Sequence, residues 1–185
     1  MTREPFSDAG GSVRSEGQFC ESYLDVGAGA ADLMQILTKM QGQQCWSCAA
    51  MPVTGSTISL HYGQSSHWQS NEKKLTVHEG EYALYVENAA WRILRGECAV
   101  MTSDTAMTEE RAAVLAKVME SPIVSATICP ATLDVKIVLD SGVRFDIFSN
   151  CMDESTDNYT LIYKQRYYSV TFRHGKLMVR VEDYE

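Results

Sequence analysis

Cys45-Trp46-Ser47-Cys48 carries two thiols at the spacing of a redox pair or of half a zinc site. A zinc ribbon needs a second pair at similar spacing, and Cys98, Cys129 and Cys151 stand singly and far apart. A redox pair usually opens a helix, where the dipole lowers one thiol pKa. This segment instead follows a predicted helix and reads as a strand. Positions i and i+3 of a strand face opposite sides, so these thiols would not meet one ion. They are read as structural cysteines, with thiol redox or zinc chemistry at Cys45 and Cys48 as the alternative.

The histidines, His61, His67, His78 and His174, have no partner histidine three or four residues away. No metalloprotease His-Glu-x-x-His, no serine-nucleophile elbow, no phosphate-binding loop and no dinucleotide glycine fingerprint occurs. Carboxylates gather in the first 29 residues, in Asp153-Glu154 with Asp157, and in Glu182-Asp183-Tyr184-Glu185. Directly after the middle cluster come Tyr159, Tyr163, Tyr167 and Tyr168. Tyrosine supplies large contact area at small entropic cost, although alternation sends about half of these rings inward. Trp46 and Trp91 read as core anchors. Trp68 stands among Ser65, Ser66, His67 and Gln69, so it either tucks onto the domain or meets a partner.

The elements that must position these residues show in the apolar period. Leu33, Ile36, Leu37 and Met40 make a helical stripe over Ala30–Gln41, with Gly42 as its stop. Ile58, Leu60 and Tyr62 alternate as a strand, residues 63–74 read as a long polar loop, and Leu75–His78 as a short strand. Tyr82, Leu84 and Val86, then Trp91 and Ile93, then Cys98–Met101 give three more strands. A second helix starts at the Thr108 cap, runs over Ala112–Glu120 and ends at Pro122. Strands follow at Ile123–Ile128, Leu133–Leu139, Val143–Ile147, Tyr159–Tyr163, Tyr167–Phe172 and Leu177–Val181. Asp140-Ser141-Gly142, Lys164-Gln165-Arg166 and His174-Gly175-Lys176 are turns, and Ser149–Asn158 is an acidic loop.

This order repeats. Ile36–Met40 lines up with Val114–Val118, and Ile58, Leu60 and Tyr62 with Val135, Ile137 and Leu139. Tyr82, Leu84 and Val86 answer Val143, Phe145 and Ile147, while Trp91 and Ile93 answer Tyr159 and Leu161. The fold class is therefore α+β, mostly antiparallel sheet with two helices. Its expected parts are an N-terminal arm (1–29), flexible or docked, and two similar helix-plus-sheet halves (30–103 and 104–185) in one compact unit.

With 185 residues and a net charge of −8, the chain suits one acidic medium-sized domain. That charge disfavours a nucleic-acid binder and attracts a basic partner. Residues 1–29 carry −3, residues 30–103 carry −1 and residues 104–185 carry −4. No run of 18 apolar residues is present and Met1–Ala30 lacks a secretory pattern, so no membrane association and a cytoplasmic location are expected.

Gln44-Cys45-Trp46-Ser47, Gly55–Gly63, Gly80–Val86 and Ala90-Trp91-Arg92-Ile93 together resemble a family of small bacterial proteins of poorly defined function. Leu133–Ile137 with Asp140–Val143 and Phe145–Phe148 resembles a module common in bacterial immunity proteins, which protect against contact-dependent and type VI secreted toxins. The likeness spans about residues 31–175 and lies in strand-and-turn patterns. It implies a cytosolic inhibitor that binds a cognate toxin and occludes its active site, with no catalytic residue, metal or cofactor. An acidic inhibitor suits a basic toxin cleft, and the expected contact residues are Asp153, Glu154, Asp157, Tyr159 and Trp68. An antitoxin or adaptor-type binding module is the alternative in the same class.

Overall fold

Alternation with period two builds most of this chain, as in Val135-Lys136-Ile137-Val138-Leu139, whose first, third and fifth side chains are buried. A computed structural model describes residues 20–50, 57–69 and 76–183. In chain order the elements are β1 (Cys20–Leu24), α1 (Val26–Lys39), β2 (Cys45–Ala50), β3 (Ile58–Gln69), β4 (Thr76–Val86), β5 (Ala90–Arg95) and β6 (Cys98–Thr102). There follow α2 (Glu109–Met119), β7 (Ile123–Ile128), β8 (Val135–Leu139), β9 (Val143–Phe148), β10 (Asp157–Tyr163), β11 (Arg166–Arg173) and β12 (Lys176–Asp183). The fold is α+β, with two helices and antiparallel pairing throughout. One sheet has seven strands in the order β1-β12-β11-β10-β4-β3-β2, the other five in the order β6-β5-β9-β8-β7. Both sheets and both helices feed one hydrophobic core, with Trp91, Tyr62, Tyr159 and Phe145 its largest fully buried side chains.

The sheets do not coincide with the halves of the sequence. Strands β2-β3-β4 of the first half are continued by β10-β11 of the second, and β7-β8-β9 are continued by β5-β6. The two five-strand orders are the same once α2-β7-β8-β9-β10-β11 is laid over α1-β2-β3-β4-β5-β6. Their registers also agree. Leu60 faces Leu84 and Leu84 faces Leu161; equivalently, Ile137 faces Phe145 and Phe145 faces Ile93. The β2–β3 ladder shifts between Cys45 and Ser47, and the β7–β8 ladder shifts at the matching place between Ile123 and Ser125. A matched bulge is a stronger sign of internal repetition than shared alternation, because a bulge is a local feature that pairing alone does not demand.

Each helix start is fixed by its cap. The Asp25 carboxylate accepts from the Ala28 N–H at 2.8 Å, and the Thr108 hydroxyl accepts from that of Arg111 at 3.3 Å. The first helix therefore opens at Val26, a turn earlier than the apolar stripe alone predicts. Its glycines there are poor helix formers, but packing requires one: a Cβ on Gly29 would lie 2.3 Å from Val179 Cγ2 of β12. α1 also packs on β7, and α2 on β2.

Of the arm expected as flexible or docked, residues 20–29 are docked, as β1 paired with β12 and the first turn of α1; residues 1–19 lie outside the described residues. The expected loop over 63–74 is largely strand: β3 runs to Gln69 and pairs with β4 from Thr76, while 70–75 lie outside the described residues. Gly63-Gln64-Ser65-Ser66 has no apolar alternation, so no apolar period marks the ribbon. The expected tight turns hold, with positive φ at Lys164 and Gln165, at His174 and Gly175, and at Gly142.

Candidate functional site

The acidic loop between β9 and β10 is tied down at both ends by one side chain. Asn158, fully buried, accepts from the Cys151 N–H at 2.8 Å through Oδ1 and donates to the Cys151 carbonyl at 3.0 Å through Nδ2. Its own carbonyl accepts from the N–H groups of Glu87, Asn88 and Ala89 at 3.1–3.2 Å, so the same residue fixes the turn from β4 to β5. Within the loop the Asp153 carboxylate accepts from the backbone N–H of Ser155 at 2.8 Å and its hydroxyl at 2.7 Å, which lowers the Asp153 pKa. Glu154 Oε1 accepts from the His174 N–H at 2.8 Å, linking the loop to the β11–β12 turn. Met152, which the sequence does not single out, is 73% exposed between these contacts.

The five expected contact residues do not form one patch. Asp153 and Glu154 are on the loop surface. Asp157 begins β10 and is held by the Arg180 guanidinium at 2.7 Å, so its charge is largely met within the molecule. Tyr159 is corrected from surface to core: it is fully buried, and its hydroxyl donates to the Leu133 carbonyl at 2.8 Å. The register shift between Asp157 and Tyr159 turns position 159 inward, opposite Val86 and Val170, where simple alternation would have kept it on the Asp157 face. Trp68 lies on β3 opposite Val77. It belongs to a two-stranded ribbon that continues past Tyr62 and Tyr82 with no further strand beside it among the described residues.

The bulge in β2 corrects the expected geometry of the thiols. Cys45 stands opposite Tyr62 and Cys48 opposite Leu60, both inward-facing positions, so the two cysteines share a face. Burial pushes Cys45 up to about 11 and Cys48 up to about 12, which keeps both as thiols near neutral pH. Both are free, and among the described residues no group of histidine, cysteine and carboxylate side chains is placed to hold a metal ion. The same bulge turns Trp46 outward; it is 41% exposed, against the expected core position, and its ring lies 5.5 Å from that of His61. His61 is itself buried, which lowers its pKa, and its Nδ1 accepts from the Gly80 N–H at 3.3 Å.

The chain matches no protein-family model, no curated protein and no solved structure. No helix among the described residues is long and apolar enough to cross a membrane.

The geometry offers a rigid loop with an exposed methionine and two surface carboxylates, beside a core that hides its thiols. Asn158 is the positioning residue that sequence reading missed. An asparagine after an acidic run carries no local signal, since its partners Cys151 and Glu87–Ala89 are brought to it only by the fold.

Proposed function

We propose that this chain is a binding protein of the immunity type. It performs no chemistry and needs no cofactor; it acts in the cytoplasm on a cognate secreted toxin with a basic cleft, whose active site it occludes. The observation that carries the reading is the loop 149–156, held at its base by Asn158 and at its middle by Asp153 and Glu154, with Met152 presented to solvent. A loop already fixed in shape loses little entropy on binding, and an apolar side chain beside two carboxylates suits a contact with a basic rim. The β3–β4 ribbon that carries Trp68 is the second contact. The matched registers and bulges favour a duplicated helix-plus-sheet unit whose copies have exchanged their following two strands.

The test is capture of the partner by the tagged full-length protein in its native host. A triple variant, Met152→Asp with Asp153→Lys and Glu154→Lys, is compared after its fold is checked by circular dichroism. The expected partner arrests growth when expressed alone, is neutralised by co-expression, and is lost to the triple variant. A partner with no toxicity overturns the immunity reading. Undiminished capture by the triple variant overturns the assignment to the loop.

A further inference from the structure

The outward face of the five-stranded sheet carries a charged row that its counterpart lacks. Thr102, Arg92, Asp146, Lys136 and Thr127 stand side by side across β6, β5, β9, β8 and β7. The equivalent row of the seven-stranded sheet is Ser169, Thr160, Tyr85, Ser59 and Ala49. The place of Arg144, two residues before Asp146, is taken there by Ala83. The architecture is thus built once without a charge at any of these positions, so the charges of the second sheet are not a requirement of the fold.

Asp146 is buried, and both arginines approach it through Nε, Arg92 at 3.0 Å and Arg144 at 3.1 Å. Only the Arg92 contact has hydrogen-bond geometry; Arg144 Nε and Asp146 Oδ1 are close but misaligned. Two guanidinium groups on one carboxylate leave a positive charge over, and approach through Nε leaves the terminal amino groups of both forks for another acceptor. Lys136 adds a further cation. The Arg92 guanidinium carbon lies over Phe148, 5.1 Å from the ring centre, which helps to hold the fork in place. These groups line a cavity of about 370 Å³ together with Cys129 and a second carboxylate, Asp134, so three cations face two carboxylates and one positive charge remains.

We propose that this cavity is a binding site for a small phosphate monoester. Two arginine forks and a lysine on one surface match a dianion with three terminal oxygens, and a carboxylate offers only two. The cavity has room for an organic group beyond the phosphate, against Phe148. The site adjoins the start of the acidic loop, where the Ser149 N–H donates to Asp134 at 2.8 Å, but includes no residue of 149–156 and does not depend on the partner assigned to that loop.

The experiment is calorimetric titration of the full chain with phenyl phosphate, inorganic phosphate and benzoate at low salt. Phenyl phosphate is expected to bind at one equivalent, more tightly than either other probe, and to slow alkylation of Cys129. Lys136→Gln, which leaves the Asp146 pairs intact, is expected to weaken binding about tenfold. Arg144→Ala, which copies the residue found in the other sheet, is expected to weaken it at least as much while the protein keeps its circular dichroism spectrum. No heat with phenyl phosphate at millimolar concentration, benzoate binding as tightly, or binding that is indifferent to Lys136→Gln would each overturn the proposal.

Discussion

Gly80 has no room for a side chain: a Cβ there would lie 2.6 Å from the Tyr62 carbonyl oxygen and 2.8 Å from that of Tyr82. Gly80→Ala therefore forces the β3–β4 ladder apart and is expected to cost roughly 2 kcal/mol in urea denaturation. Gly142→Ala meets nothing within 4 Å and carries only the penalty of its positive φ, about 1 kcal/mol. The Gly80 N–H also ties the ribbon to His61. Burial lowers the His61 pKa from its usual 6.5, so the fold holds the neutral ring. That contribution is complete above about pH 6.5 and is lost as the pH falls through the lower folded value. Protonation at Nδ1 also removes the acceptor that Gly80 uses. The urea midpoint of the wild type should fall further between pH 7 and pH 5 than that of His61→Gln, and equal falls would sink this account. Thiols separate in the same way. Hydrogen bonds at Thr132 and Ala131 lower the pKa of exposed Cys129, while Cys45 and Cys48 are raised. Brief alkylation at pH 8 followed by mass spectrometry should label Cys129 and leave Cys45 and Cys48 unmodified until the protein is unfolded.

Among the elements, the exchanged strands have the largest consequence. β5 and β6 belong to a sheet whose other strands lie after residue 122, and β4 finds its neighbour β10 only in the second half. A fragment of residues 20–103 keeps α1 and five of its own strands after β1, yet β1 loses its partner β12, β4 its partner β10 and β5 its partner β9. It is expected not to fold as a monomer. Light scattering should find dimer, aggregate or unfolded chain, and a monomer with cooperative unfolding would contradict the exchange. The elements themselves were largely legible in the sequence. Alternation at Ile58–Tyr62, Val135–Leu139 and Val143–Ile147 marks strands because one face of each is buried, and Thr108 and the Lys164-Gln165 turn act through their own side chains or backbone. The β3–β4 ribbon was not legible, since Gly63-Gln64-Ser65-Ser66 has no apolar period. The bulge at Cys45–Ser47 escaped too, because it belongs to a pairing and not to a segment.

For the whole molecule, one core implies one transition. Leu84 in the seven-stranded sheet and Phe145 in the five-stranded sheet are both buried in the same cluster. Leu84→Ala and Phe145→Ala should each cost about 3 kcal/mol and shift the same single unfolding curve. Two separate transitions would mean that the sheets are independent. The net charge of −8 acts at this scale as well. If the acidic loop meets a basic partner, association should slow as salt rises, and Asp153→Lys with Glu154→Lys should flatten that dependence.

The sequence by itself determined most element types, the Thr108 cap, the tight turns and the internal repeat, because each rests on neighbours within a few residues or on a period along the chain. The tertiary structure alone decided which strands share a sheet. It also decided that Tyr159 is core and Trp46 surface, that Cys45 and Cys48 face the same way, and that Arg92 and Arg144 converge on Asp146 beside Lys136. These are relations between residues far apart in the chain, fixed by register and bulge. A one-residue shift in pairing turns every side chain of a strand to the other face, and nothing local to Asp157–Tyr163 or Cys45–Ala50 specifies that shift.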